Sequence, residues 1–179
     1  MTRDLVVRSL NRKATTGIAT IGPLIMRCGL GLSGMTAQKR EGDGATPTGR
    51  WPITNVLYRP DRFKGFHLSG AKRSGHAINM EDGWCDAIGD RNYNRPIRHP
   101  YPASAEALWR DDHLYDVIVI LGHNHLPRMQ GGGSAIFMHL ARELADGGIG
   151  PTAGCVSLRR RDLALVLGLL GPGSAVHVV

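Results

Sequence analysis

Apolar positions along this chain fall mostly into short runs bounded by turn residues, and only one stretch keeps a helical period. Leu5–Val7 predicts an opening strand. Gly17–Ile21 and Leu24–Cys28 flank the turn dipeptide Gly22-Pro23 and predict a hairpin. Lys39 to Gly49 is a turn-rich loop feeding a strand over Trp51–Tyr58, where Pro52 marks a strand start or an edge. From Asp61 to Pro102 the pattern predicts a mostly irregular segment, stiffened at its end by Pro96, Pro100 and Pro102. A segment of that length without structure usually forms a lid or a binding wall. Ser104–Arg110 reads as a short helix capped by Ser104, with Glu106 in its first turn. Tyr115–Leu121 is a continuous β-branched and aliphatic run that predicts a buried strand. Gly131-Gly132-Gly133 then turns into a second buried strand, Ser134–His139, and Arg142–Gly150 reads as a helical turn and a loop. Over Arg159–Leu170 the residues Leu163, Val166, Leu167 and Leu170 fall at i, i+3, i+4 and i+7, which predicts a helix. Ser157 is its expected N-cap and Gly171-Pro172 its stop signal. Ala175–Val179 closes as a strand, so the plan is a mainly β domain with a few short helices, an α+β arrangement.

Composition narrows this plan. At 179 residues the chain fits one domain, 1–179, without repeats or low-complexity tracts. Twenty-four Gly and ten Pro spread along it favour many short elements over a helical bundle. Charged residues at 21% and a mean hydropathy of −0.16 exclude a disordered tail or an integral membrane protein. No apolar run reaches the ~18 residues of a membrane span, so no transmembrane segment is expected. Gly17–Leu32 is interrupted by Pro23 and Arg27 and lacks an Ala-x-Ala pattern, so no export signal is visible. The net charge of +7 suits an anionic partner. Arg159-Arg160-Arg161 is the longest basic run and no nucleic-acid motif appears, so nucleic acid is not expected as a partner.

The candidate chemistry starts from three widely spaced cysteines, Cys28, Cys85 and Cys155, an odd number with no CxxC pair. Cys85 has acidic neighbours, Asp82 and Asp86, that raise a thiol pKa, and Cys28 reads as packing. A Cys28–Cys85 disulfide has no support in the sequence. Cys155 lies in Pro151-Thr152-Ala153-Gly154-Cys155-Val156-Ser157, directly ahead of the predicted helix, where unpaired N–H groups and the positive helix end favour a thiolate. Gly154 lets a substrate carbonyl come close, and its N–H with that of Cys155 forms a candidate oxyanion hole. His139, sixteen positions upstream, is the candidate base. Nucleophile, base and oxyanion donors together fit acyl transfer. Two other readings compete. His123 and His125 with His139 present a possible three-His zinc site, and an inert buried Cys155 would leave a non-catalytic cell-wall-binding module.

The strand Ile136-Phe137-Met138-His139 and the turn Thr152-Ala153-Gly154-Cys155-Val156 resemble the signature of YkuD-type L,D-transpeptidases, in which a His precedes a Ser/Thr-x-Gly-Cys turn at a similar spacing. The loop Gly42-Asp43-Gly44-Ala45-Thr46-Pro47-Thr48-Gly49 also resembles that family's loop ahead of its central hairpin, so the likeness runs from about Lys39 to Leu170. It implies a mainly β YkuD-like catalytic domain that crosslinks peptidoglycan stem peptides through a thioester on Cys155. His139 is then the base, oriented by the backbone carbonyl of Leu140, with no cofactor and no metal. The partners implied are peptidoglycan stem peptides and glycan, the location implied is the periplasm or cell envelope, and a monomer is expected. Water in place of the acceptor amine would make the same site an L,D-peptidase.

The sequence departs from the family pattern at three places. His139-Leu140-Ala141 replaces His-Gly-Thr, and Ala153 replaces the second motif His, whose role is dropped or falls to His123 or His125. Ser157 replaces an Arg or Asn, leaving Arg159 or Arg160 to recognise the stem carboxylate. The Pro-rich segment Asp82–Asp112, with Trp84, Asp86, Tyr93 and Asn94, reads as an insertion or substrate-cleft wall. It resembles a small proteobacterial branch associated with 1,3 links, from L-Ala of one stem to meso-diaminopimelate of another. Trp84, Asp86, Tyr93, His123, His125, Thr152 and Arg159 are the expected substrate-binding residues, although a lone Trp such as Trp84 is more often part of a core.

Overall fold

A computed structural model describes residues 3–63 and 75–179. In chain order its strands are β1 (Leu5–Arg8), β2 (Thr16–Ile21), β3 (Leu24–Gly29), β4 (Met35–Thr36), β5 (Thr46–Pro47), β6 (Gly49–Tyr58) and β7 (His76–Ala77). Then come β8 (Asp82–Cys85), β9 (Pro96–Arg98), β10 (Ala105–Ala107), β11 (Val117–Leu121), β12 (Phe137–Leu140), β13 (Val156–Leu158), helix α1 (Arg160–Leu169) and β14 (Ala175–Val178). The main sheet runs β11-β12-β13-β3-β2-β1-β14-β6-β7, and β6 also pairs with β11, closing a barrel-like ring. Strand β6 spans this closure because its first half pairs with β14 and its second half with β11. The mainly β plan is borne out, as is the hairpin: Ile21 pairs with Leu24 across Gly22-Pro23, with Gly22 at φ 55° as so short a turn demands.

Strands β11, β12 and β13 have every residue buried, and they separate two layers of packing. Val117, Val119 and Leu121 of β11, with Met138 and Leu140 of β12, face the barrel core. Ile118, Ile120 and Phe137 face the other way, into a second cluster with Trp84, Leu108, Tyr115 and Cys155. That two-faced burial is why Tyr115–Leu121 reads as a continuous apolar run rather than an alternating one. Helix α1 buries Leu163, Val166 and Leu167 in the barrel core, as its period predicts. At the foot of β11 the buried carboxylate of Asp116 takes Arg62 at 2.7 Å and Arg160 at 2.8 Å, tying the start of α1 to the sheet.

Several local expectations fail, each because a non-local pairing overrides a local signal. Ser104–Arg110 is not a helix: Ala105–Ala107 is β10, with Glu106 opposite Trp84 of β8. The segment expected to be irregular contributes β7, which extends the main sheet beside β6, and β8 and β9, so that β10-β8-β9 form a three-stranded sheet over the second cluster. Its residues 64–74 lie outside the described residues. Ser157 is not the helix cap, because Val156–Leu158 pairs with β12 and β3; Arg159 stands at the N-cap without a side-chain cap bond. Gly29 makes that pairing possible, since a Cβ there would lie 2.4 Å from Ser157 Oγ. The second buried strand begins at Phe137 rather than Ser134, since Ala135, at φ 50°, breaks the extended path. Arg142–Gly150 contains no helical turn and is a loop closed by a bridge between Glu143 and Ile149. All three cysteines are free. Among the described residues no helix is long and apolar enough to cross a membrane.

This packing makes a direct prediction. Leu163→Ala removes a buried side chain and should cost about 2–5 kcal/mol of stability in urea unfolding. Leu165→Ala, on the half-exposed side of the same helix, should stay within about 0.5 kcal/mol.

Candidate active site

The parallel pairing of β12 with β13 sets the centre of the site. Met138 is opposite Val156, so Cys155, one residue before β13, stands beside Phe137. The Phe137 N–H donates to Cys155 Sγ at 3.3 Å, and the thiol donates to the Ala135 carbonyl at 3.3 Å. His139 follows Phe137 by two residues and so falls on the same face of β12. Its Nδ1 is 2.8 Å from the Leu140 carbonyl, a contact that requires Nδ1 to carry the proton and leaves Nε2 as the acceptor. Tyr115 packs edge-on against the imidazole, with ring centroids 5.2 Å apart. His139 and Cys155 both line one cavity of about 470 Å³.

The electrostatics differ from the sequence expectation in one respect. Strand β13 intervenes between Cys155 and α1, so the thiol does not sit at the helix end. Burial pushes the Cys155 thiol up to about 12, with the Glu106 carboxylate adding to the rise and the Phe137 N–H and Lys39 opposing it. Burial likewise lowers His139 to about 4 against the Leu140 hydrogen bond. In both groups burial thus favours the uncharged form, a thiol and a neutral imidazole.

The Cys155 turn is stapled to its surroundings. Thr152 Oγ1 donates to the Cys155 carbonyl at 2.7 Å and accepts the Gly154 N–H at 3.1 Å. Thr46 Oγ1 also reaches the Cys155 carbonyl, at 3.4 Å, and is itself held by the Gly31 N–H. Gly154 has φ 142°, and a Cβ there would fall 3.0 Å from the Ala45 carbonyl oxygen. Because its N–H is spent on Thr152, the Cys155 amide is the remaining donor of the turn.

Of the expected substrate-binding residues, Asp86 and Thr152 line the cavity, and Thr152 acts there as a clamp on the turn. Trp84 is core: it is buried edge-on against Phe137 and its indole N–H bonds Asn94 Oδ1 at 2.9 Å. Tyr93 is fully buried behind the wall, where its hydroxyl donates to Glu41 Oε2 at 2.5 Å. His123 is bonded to the Gly132 carbonyl and His125 stacks on Trp84. Neither approaches His139, which lies opposite Ile118 near the far end of β11. Among the described residues no group of three His, Cys, Asp or Glu is placed to hold a metal, so the three-His reading loses its geometry. Arg159 bonds the Gly147 carbonyl and Arg160 bonds Asp116; neither lines the cavity.

The charged groups that do line it are Lys39, Glu41, Glu106, Arg110 and Arg142, in addition to Asp86. None was singled out as functional by the sequence. Glu106 and Arg110 were hidden by the mistaken helix, whereas Lys39 opens the loop that carries part of the family resemblance. Glu106 accepts from the Tyr115 hydroxyl at 2.6 Å, and burial raises its pKa. The Arg110 guanidinium lies over the Tyr115 ring and pairs with Asp112.

The model of the YkuD family, the L,D-transpeptidase catalytic domain, matches residues 6–178. The chain belongs to that family, an enzyme family whose activity is directed at peptidoglycan. No curated protein and no solved structure matches the chain.

The buried pair predicts a pH profile of stability. The unfolded histidine binds a proton near its usual 6.5 and the folded one only near 4, so stability falls as pH drops from 6.5 towards 4. The thiol of Cys155 is held protonated from its usual 9.0 up to about 12, so stability also falls as pH rises through that range. Melting curves should show His139→Gln weakening the acid fall and Cys155→Ala weakening the alkaline one, with Cys28, also raised to about 12, supplying part of the latter.

Proposed function

We propose that this domain, 1–179, is a peptidoglycan-crosslinking L,D-transpeptidase that carries the donor stem peptide as a thioester on Cys155. The observation that carries the reading is the convergence of Cys155 and a Leu140-oriented His139 on one charged cavity. As Sγ attacks the donor carbonyl, Nε2 of His139 takes the thiol proton, the C–S bond forms, and the carbonyl electron pair moves onto oxygen. With a thiol and a neutral imidazole at rest, proton transfer accompanies attack rather than preceding it. The oxygen is received by the Cys155 N–H. Collapse breaks the C–N bond as His139 returns the proton to the leaving amine. An acceptor diaminopimelate amine then attacks the thioester, gives its proton to His139, and frees the thiol.

The cavity charges suit such substrates. Arg110 and Arg142, which line the cavity, offer positive charge to stem carboxylates, the role expected of Arg159, while Asp86 and Glu106 suit the acceptor's amino end. Asp86 Oδ1 is buried without a hydrogen-bond partner among the described residues, which favours an entering donor. The 82–112 segment acts as the cleft wall, and by excluding water it favours transfer over hydrolysis. The links formed are 1,3, between L-Ala and diaminopimelate, and the enzyme works as a monomer in the periplasm.

Mass spectrometry of purified disaccharide-peptides incubated with the wild type and with Cys155→Ala tests this. Dimers joined through L-Ala should form with the wild type and drop by about a thousandfold or more in the variant. Shortened monomers alone would make the domain a peptidase, and no Cys155-dependent change would contradict the reading.

A further inference from the structure

The turn around Cys155 is short of donors for an oxyanion. Gly154 N–H bonds Thr152 Oγ1, so the backbone supplies the Cys155 amide and little else. A cation stands next to this turn. The side chain of Lys39 is only 5% exposed, and its stem passes so close to Gly133 that a Cβ there would come within 2.7 Å of Lys39 Cγ. Its tip ends 3.3 Å from the position a Cβ of Gly154 would occupy. Gly133 and Gly154, at φ 92° and 142°, together leave the channel through which this ammonium reaches the cavity.

The one polar partner of Lys39 among the described residues is Asp43. An ammonium has three donors, and Asp43 takes one of them. Asp43 does not depend on Lys39 for its place, because the N–H groups of Arg40 and Ala45 hold its carboxylate at 2.8 and 2.9 Å. The loop is thus closed by its own backbone bonds. A lysine needed only to brace it would not have to be threaded past two glycines to the nucleophile's turn. The charge of Lys39 already acts on the thiol, opposing the effect of burial.

We propose that the Lys39 ammonium is a second oxyanion donor, bonding the oxygen of the tetrahedral intermediate formed at Cys155 together with the Cys155 amide. The inference rests on Cys155 being the nucleophile. As the C–S bond forms, the carbonyl pair moves to oxygen and Lys39 donates a hydrogen bond to it without giving up its proton. On collapse the pair returns to the carbonyl, the leaving-group bond breaks, and His139 supplies the proton to a leaving amine.

The test uses the full chain and p-nitrophenyl acetate, a small ester whose attack by a thiol passes through the same kind of oxyanion and releases p-nitrophenolate. Single-turnover acylation is followed in the wild type, Lys39→Met, Lys39→Arg, Asp43→Asn and Cys155→Ala. Lys39→Met should lower the acylation rate constant by about 10²–10³-fold while the half-saturating ester concentration stays within about threefold. Lys39→Arg should recover part of the loss, and Asp43→Asn, which breaks the ion pair but keeps the donors, should lose less than about tenfold. Melting curves establish that each variant is folded, and Lys39→Gln replaces Lys39→Met in the comparison if the latter is not. Retention of the wild-type rate constant in Lys39→Met, or an equal loss in Asp43→Asn, overturns the proposal. So does the lack of any Cys155-dependent burst in the wild type. A burst without crosslinking of stem peptides sinks the substrate reading alone and leaves the role of Lys39 decided by the variants.

Discussion

Strands β11, β12 and β13 are buried on both faces, so the polar groups they carry look for partners inside the protein, and Ser157 Oγ of β13 is left without one among the described residues. His139 answers to the Leu140 carbonyl, and Cys155 to the Phe137 N–H and the Ala135 carbonyl. Asp116, at the foot of β11, answers to Arg62 and Arg160. The same constraint fixes the ionisation of the site. Burial favours the neutral imidazole and thiol, and the cavity charges contributed by the loop after β4 and by the three-stranded sheet supply the field in which they react. The site exists because a second layer of structure is laid over a barrel wall that would otherwise face solvent.

Elements with a strong local signal were legible in the sequence. The hairpin at Gly22-Pro23, the run Tyr115–Leu121 and the period of Leu163, Val166 and Leu167 each name their own structure. The elements misread take their form from distant partners. Ala105–Ala107 is a strand because β8 lies beside it, and Val156–Leu158 is one because β12 and β3 flank it. Nothing within either segment announces those neighbours. A two-faced strand hides one further fact, that alternate residues of an apolar run serve different cores.

The candidate site divides in the same way. Cys155 and His139 were legible through their residue types and spacing, and the Leu140 carbonyl through the family resemblance. Activation of the thiol by a helix end, which the sequence suggests, fails because β13 intervenes. Apart from Asp86, the charged lining was not legible, since Lys39, the pair Glu106 and Arg110, and Arg142 lie far apart along the chain and meet only in the folded cavity. His123 and His125 show the converse: adjacent in sequence to the central strand and chemically suggestive, they are placed by its register away from His139.

The central claim, that Cys155 carries the acyl group, is tested most directly by acid-quenching the enzyme during turnover on purified disaccharide-peptide monomers and mapping the digested protein by mass. The account predicts an added stem-peptide mass on the fragment bearing Cys155, removed by hydroxylamine as a thioester should be and absent from Cys28 and Cys85. Product formation with no adduct on Cys155, or an adduct on another residue, would contradict it.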